Sequence, residues 1–141
     1  MRENRLDTRP ARTIRFGWDG DGGLGDRLIA QIIAGEKWAT CGFREAYEPW
    51  ELEECLTGVG ELQAVEDSSG RWRCTIRVLE AFECTFGDPD PRLVAGEGDG
   101  EDVAKFQADH RIAWAADFGD RPLTDDALLV VELFELVSVE Q

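Results

Sequence analysis

The sequence predicts an α+β fold, a small closed or partly open β-barrel with flanking helices. Three observations carry this expectation. Apolar residues recur at helical spacing between Leu24 and Ile33. A hairpin of extended segments follows between residues 61 and 80, turning at Asp67-Ser68-Ser69-Gly70. The chain then closes on a nearly continuous, β-branched apolar run from Ala127 to Val139, which suits a long buried strand.

Each element has its own local reason. Leu24, Leu28, Ile29, Ile32 and Ile33 share one face of a helix of roughly ten residues, with Gly35 placed as its C-cap. The preceding FGWDGDGGLG stretch from Phe16 reads as a loop; it lacks the spaced carboxylates and terminal Glu of a calcium-binding EF-hand. Residues 46–56 read as a short helix entered at Pro49. In the second strand Trp72, Cys74, Ile76 and Val78 alternate with Arg71, Arg73, Thr75 and Arg77, which predicts one buried and one wet face. Residues 80–86 read as a further strand, and 87–100, with its Asp-Pro repeats and GEGDG, as mainly loop. Asp102 is an N-cap for a helix from Val103 to about Trp114, with Val103, Phe106, Gln107 and His110 near one face.

Length and composition bound the function. With 141 residues and 43% apolar content, the chain suits one domain with a sizeable core. No apolar run is long enough for a membrane helix, and the Arg-rich start lacks the apolar segment of a secretory signal. Residues 1–15 therefore read as a flexible leader, 16–141 as the domain, and the cytoplasm as the expected compartment, with no membrane partner. Cys41, Cys55, Cys74 and Cys84 form no C-x-x-C pair and only one histidine could join them, so no metal or cofactor is expected and the cysteines read as free, small apolar residues. The net charge is −15, and the leader, at +3, leaves −18 on the rest. Such a surface repels a polyanion, which disfavours RNA as a partner but not an uncharged nucleoside-like small molecule.

Two segments carry candidate chemistry. In Gly35-Glu36-Lys37-Trp38-Ala39-Thr40, Lys37 is one of only two lysines against 13 arginines. A lysine can lose its proton where arginine cannot, and it stands three residues before a hydroxyl that needs a base to become a nucleophile. On spacing alone such triplets are common, and a solvated Lys37 beside a strand-opening Thr40 is the plainer reading. In Ala95-Gly96-Glu97-Gly98-Asp99-Gly100, glycines permit close backbone approach around Glu97, a candidate acid or base that Asp99 could orient. Composition alone makes this an acidic loop. His110, the single histidine, reads as a buried hydrogen-bonded residue. Of Trp18, Trp38, Trp50, Trp72 and Trp114, Trp72 reads as core and Trp38 as a pocket wall.

Taken in order, Phe16-Gly17, Gly35 to Thr40, Tyr47-Glu48, the hairpin from Gly60 to Glu80, Gly96 to Asp99, His110, and the closing strand with Phe134 resemble the ASCH family, whose members adopt a PUA-like barrel. The resemblance spans nearly everything after the leader. It implies a small PUA-like barrel and either binding or cleavage of RNA or hydrolysis of an acylated nucleoside such as N4-acetylcytidine. By matching position it implies Lys37, Thr40 and Glu97 as catalytic residues of an amidohydrolase, with Gly35, Trp38, Tyr47, Asp99 and His110 around the substrate. Two departures bear on the substrate. Ala95 stands where the fuller pattern has an acid, and the bulky Trp38 adjoins Lys37.

Overall fold

The computed structural model describes residues 9–119 and 121–140. Five strands form one sheet in the order β1-β3-β4-β5-β2. They are β1 (Arg12–Arg15), β2 (Ala39–Phe43), β3 (Leu62–Glu66), β4 (Trp72–Thr85) and β5 (Leu128–Val139). β1 runs parallel to β3, and every other neighbouring pair is antiparallel. The sheet curls into a half-barrel flanked by α1 (Leu24–Ile33), α2 (Pro49–Thr57), α3 (Pro91–Val94), α4 (Val103–Ala113) and α5 (Ala115–Phe118). The α+β barrel architecture expected from the sequence is observed.

The long final strand organises the sheet. β5 pairs with β4 through its whole length and with β2 on its other side, so it lies between the two halves of the core. On one side Ile29 and Ile32 of α1 pack against Phe16, Val65, Cys74, Ile76 and Phe134. On the other, Leu93, Val94 and Phe106 pack against Ala39, Phe86, Leu129, Val131 and Leu133. α1 starts where the Asp21 carboxylate accepts from the N–H groups of Gly23 (2.9 Å) and Gly25 (3.0 Å). It stops at Gly35, whose φ of +82° belongs to the left-handed region that ends helices.

Four features differ from the sequence expectation. Residues 12–15, placed in the leader, form β1, because an edge strand can be held by backbone pairing to β3 without an apolar run of its own. The first eight residues of the expected leader lie outside the described residues. Residues 72–85 are one strand, bent by register shifts near Thr75 and between Val78 and Glu80, where the sequence suggested two. Thr75, expected on the wet face, is buried where the register shift next to Ile76 breaks the alternation, and its hydroxyl accepts from the Trp72 indole N–H at 3.2 Å. Within the expected loop 87–100, α3 forms behind Pro91, capped by the Asp90 carboxylate accepting from Arg92 N at 2.9 Å. Among the described residues no helix is long and apolar enough to cross a membrane.

The hairpin turn yields a test. Asp67 Oδ1 accepts from the Ser69 hydroxyl (2.7 Å), Ser69 N (3.0 Å) and Arg71 N (3.1 Å). The Ser69 hydroxyl bond, with help from the backbone N–H groups and Arg73, holds its carboxyl down at about 2. A lowered folded-state value stabilises the fold above the unfolded value of about 3.9 and stops doing so as pH falls towards 2. We expect Asp67→Asn to cost about 1–2 kcal/mol at pH 7. Urea denaturation should show that gap closing by pH 2; an undiminished gap there would contradict the assignment.

Candidate functional site

The site is built where the chain leaves α1 and enters β2. After Gly35 the backbone turns so that the N–H groups of Glu36 and Lys37 both reach the Gln31 carbonyl, at 2.8 and 3.1 Å. This folds the Lys37 side chain inwards, and it is buried to 1% exposure. Its ammonium donates to the Ala39 carbonyl at 2.6 Å, forms an ion pair with Glu97 Oε1, and lies 5.7 Å from the centre of the Phe16 ring.

Glu97 reaches Lys37 from 60 residues away because Gly96 lets two backbones touch. Gly96 O accepts from Trp38 N at 2.8 Å, and a Cβ on Gly96 would stand 2.4 Å from Ala39 Cβ. No side chain fits there. The segment Ala95–Asp99 then makes a wide turn that sends the Glu97 carboxylate over the edge of β2. Its second oxygen, Oε2, lies 3.1 Å from His110 Nε2 and 3.6 Å from Cys41 Sγ. α4 supplies the histidine, whose Nδ1 lies 2.8 Å from the Phe106 carbonyl and therefore donates to it.

The electrostatics follow from burial. Desolvation alone would raise the Glu97 carboxyl, but the Lys37 charge and the His110 hydrogen bond outweigh it and hold it at about 2. His110 is pulled down by burial and pushed up more strongly by the Glu97 hydrogen bond and charge, so its net shift is upward. Burial, reinforced by the Glu97 charge, pushes the Cys41 thiol well up.

The structure thus brings together Lys37, Glu97 and His110, and adds Cys41. Thr40 is placed differently. Ala39 and Cys41 pack with the α3–α4 side of the core, so strand alternation directs Thr40 to the opposite face. There it stands across from Glu132 of β5, and no hydrogen bond joins it to Lys37 among the described residues. Tyr47 packs on that face over Gly42, where a Cβ would meet its hydroxyl at 2.7 Å. Asp99 faces away from Glu97 and pairs with Lys105 at 3.0 Å. Trp38 is half-buried against the α3–α4 side of the core, and Gly35 serves as the helix stop.

Two surface hollows of about 550 and 380 Å³ lie beside α2. Tyr47 lines the larger, but neither is lined by Lys37, Thr40 or Glu97. Sequence reasoning passed over Cys41 and Glu132. The alternation of β2 separates Cys41 from Thr40, but the histidine beside Cys41 and the register that opposes Glu132 to Thr40 exist only in the folded chain.

The curled half-barrel with its flanking helices is that of a PUA-like domain. A model of the ASCH domain matches residues 13–138, and the chain belongs to that family. A crystal structure of an ASCH domain from Lactobacillus crispatus aligns with a TM-score of 0.73 at 25% identity, over 98% of this chain and 86% of that one. A crystal structure of a protein from Enterococcus faecalis aligns with a TM-score of 0.74 at 22% identity, over 97% and 85%, a likeness of fold alone. No curated protein matches the chain.

The Gly96 contact is testable. Gly96→Ala forces a methyl into Ala39 and separates the turn from β2, which should cost about 1–3 kcal/mol. Chemical denaturation would measure it, and an unchanged midpoint would show that the two backbones do not meet.

Proposed function

We propose that this ASCH domain is a small-molecule amide hydrolase acting on an acylated nucleoside such as N4-acetylcytidine, with Lys37, Thr40 and Glu97 as its reacting groups. The observation that carries the reading is the buried Lys37–Glu97 pair, an ammonium and a carboxylate held against each other away from water. A purely structural role for such a pair is costly, because well-packed apolar residues fill the same space as well or better. The −15 charge adds support, since it favours a neutral ligand over a long polyanion.

The chemistry balances with these three residues. Transfer of a proton from the Lys37 ammonium to Glu97 would leave a neutral amine, which takes the Thr40 proton as the hydroxyl oxygen attacks the acyl carbon. Glu97 gives its proton to the leaving nitrogen, the C–N bond breaks, and the acyl group is left as an ester on Thr40. Water then attacks the ester. Glu97 takes a proton from that water, Lys37 returns one to the Thr40 oxygen, and the starting state is restored. The mechanism requires the start of β2 to twist when substrate binds, because Thr40 is directed to the other face of the strand and has no hydrogen bond to Lys37 among the described residues. Tyr47, Trp38 and His110 would contact or position the nucleoside.

The test is N4-acetylcytidine deacetylation by the wild type, Thr40→Val and Lys37→Met. Valine keeps the shape and strand preference of threonine but removes the nucleophile. Both variants should lose at least about 10²–10⁴-fold in rate. Turnover by Thr40→Val at the wild-type rate would overturn the nucleophile assignment. No turnover by the wild type, together with nanomolar, salt-dependent binding to single-stranded RNA in fluorescence anisotropy, would replace the hydrolase with an RNA-binding module.

A further inference from the structure

Two side chains, Cys41 and His110, meet the oxygen of Glu97 that does not pair with Lys37. Cys41 Sγ, Glu97 Oε2 and His110 Nε2 converge from β2, the 95–99 turn and α4, all within 4.8 Å of one another. Sulfur lies 3.6 Å from the carboxylate oxygen and 3.7 Å from the imidazole nitrogen, and those two lie 3.1 Å apart. A tetrahedral ion with about 2.3 Å to sulfur and about 2.0–2.1 Å to nitrogen and oxygen spaces its ligand atoms by roughly 3.3–3.6 Å. The observed triangle comes close to those edges.

We propose that Cys41, Glu97 and His110 form a three-ligand site for Zn²⁺, with the fourth position open to water or a small ligand.

The surroundings have the features a zinc site requires. His110 Nδ1–H donates to the Phe106 carbonyl at 2.8 Å, which fixes the ring with Nε2 directed at the triangle. The rings of Phe106 and Trp114 hold the imidazole between them, with centroids 4.2 and 4.9 Å away. Lys37 occupies Oε1 of Glu97 and leaves Oε2 to face the thiol and the imidazole, so the ammonium steadies a ligand rather than displacing the ion. A soft thiolate, an imidazole and a carboxylate suit zinc among the common divalent ions. On binding, the ion replaces the Cys41 thiol proton and any proton on His110 Nε2, and both leave to solvent. Thiolate and carboxylate together neutralise its charge.

This site stands independently of the hydrolytic reading, because binding is its readout, yet the two share one carboxylate. Zinc on Oε2 occupies the group that passes the leaving-group proton, so metal loading should suppress any turnover.

The experiment starts from the full chain stripped by chelation and titrated with Zn²⁺ against a chromophoric chelator. Co²⁺ is the spectroscopic substitute, read by its thiolate charge-transfer band and the intense visible bands of a four-coordinate ion. The expected result is one equivalent bound, with Cys41→Ser and His110→Gln each weakening affinity about 100-fold or more, while Cys55→Ser and Cys84→Ser leave it unchanged. Circular dichroism of each variant separates ligand loss from misfolding. Absence of stoichiometric binding, or binding that survives Cys41→Ser with its cobalt–thiolate band intact, overturns the site. Turnover unaffected by bound zinc would overturn the shared use of Glu97 while leaving the metal site in place.

Discussion

A lysine and a glutamate buried against each other set the terms for this domain. Lys37 and Glu97 are 1% and 9% exposed at their side chains, and neither could be held there alone. Several kilocalories per mole of lost hydration must be offset by their mutual attraction and by further hydrogen bonds. The Ala39 carbonyl supplies one for the ammonium, and His110 supplies one for the carboxylate. The pair also explains features at a distance. Gly35 must stop α1 so that Lys37 can turn inwards, and Gly96 must lack a side chain so that Glu97 can arrive. α4 must carry its single histidine on the face that looks towards β2. The long β5 strand lies between α1 and the α3–α4 layer, and so fixes the register in which these parts meet.

The sheet divides the candidate chemistry. Lys37, Cys41, Glu97 and His110 gather at the edge of β2 and its α3–α4 side, whereas Thr40, Glu132 and Tyr47 occupy the other face beneath α2. Glu132 is a carboxyl raised by burial opposite the hydroxyl that the proposed mechanism uses. A substrate that engages both Thr40 and the ion pair has to reach around β2, the edge strand of the sheet among the described residues. An open edge serves that access better than a closed barrel would.

Much of this was legible in the sequence, for identifiable physical reasons. The stripe of Leu28, Ile29, Ile32 and Ile33, the Asp67–Gly70 turn, the Asp102 cap and the strand after Ala127 all formed where expected, although β5, expected to be buried throughout, is exposed beyond Phe134. Lys37 and Glu97 stood out as a rare lysine and a glutamate framed by glycines. What the sequence withheld is non-local. β1 is held by pairing rather than by its own residues. The burial of Thr75 accompanies a register shift that exists only in the paired sheet. Cys41 read as a small apolar residue because nothing in its neighbours along the chain reveals a histidine 69 positions away. The face to which Thr40 points depends on the strand boundary, the least certain feature of any sequence reading.

The central claim is that Lys37 and Glu97 are energetically coupled in the folded interior. A double-mutant cycle tests it most directly, with urea denaturation of the wild type, Lys37→Met, Glu97→Gln and the combined variant. Each single change strands a buried polar partner and should cost about 3–5 kcal/mol. The double variant should lose much less than the sum, giving a coupling of about 2–3 kcal/mol. A coupling within about 0.5 kcal/mol of zero, the level of an exposed ion pair, would contradict the account.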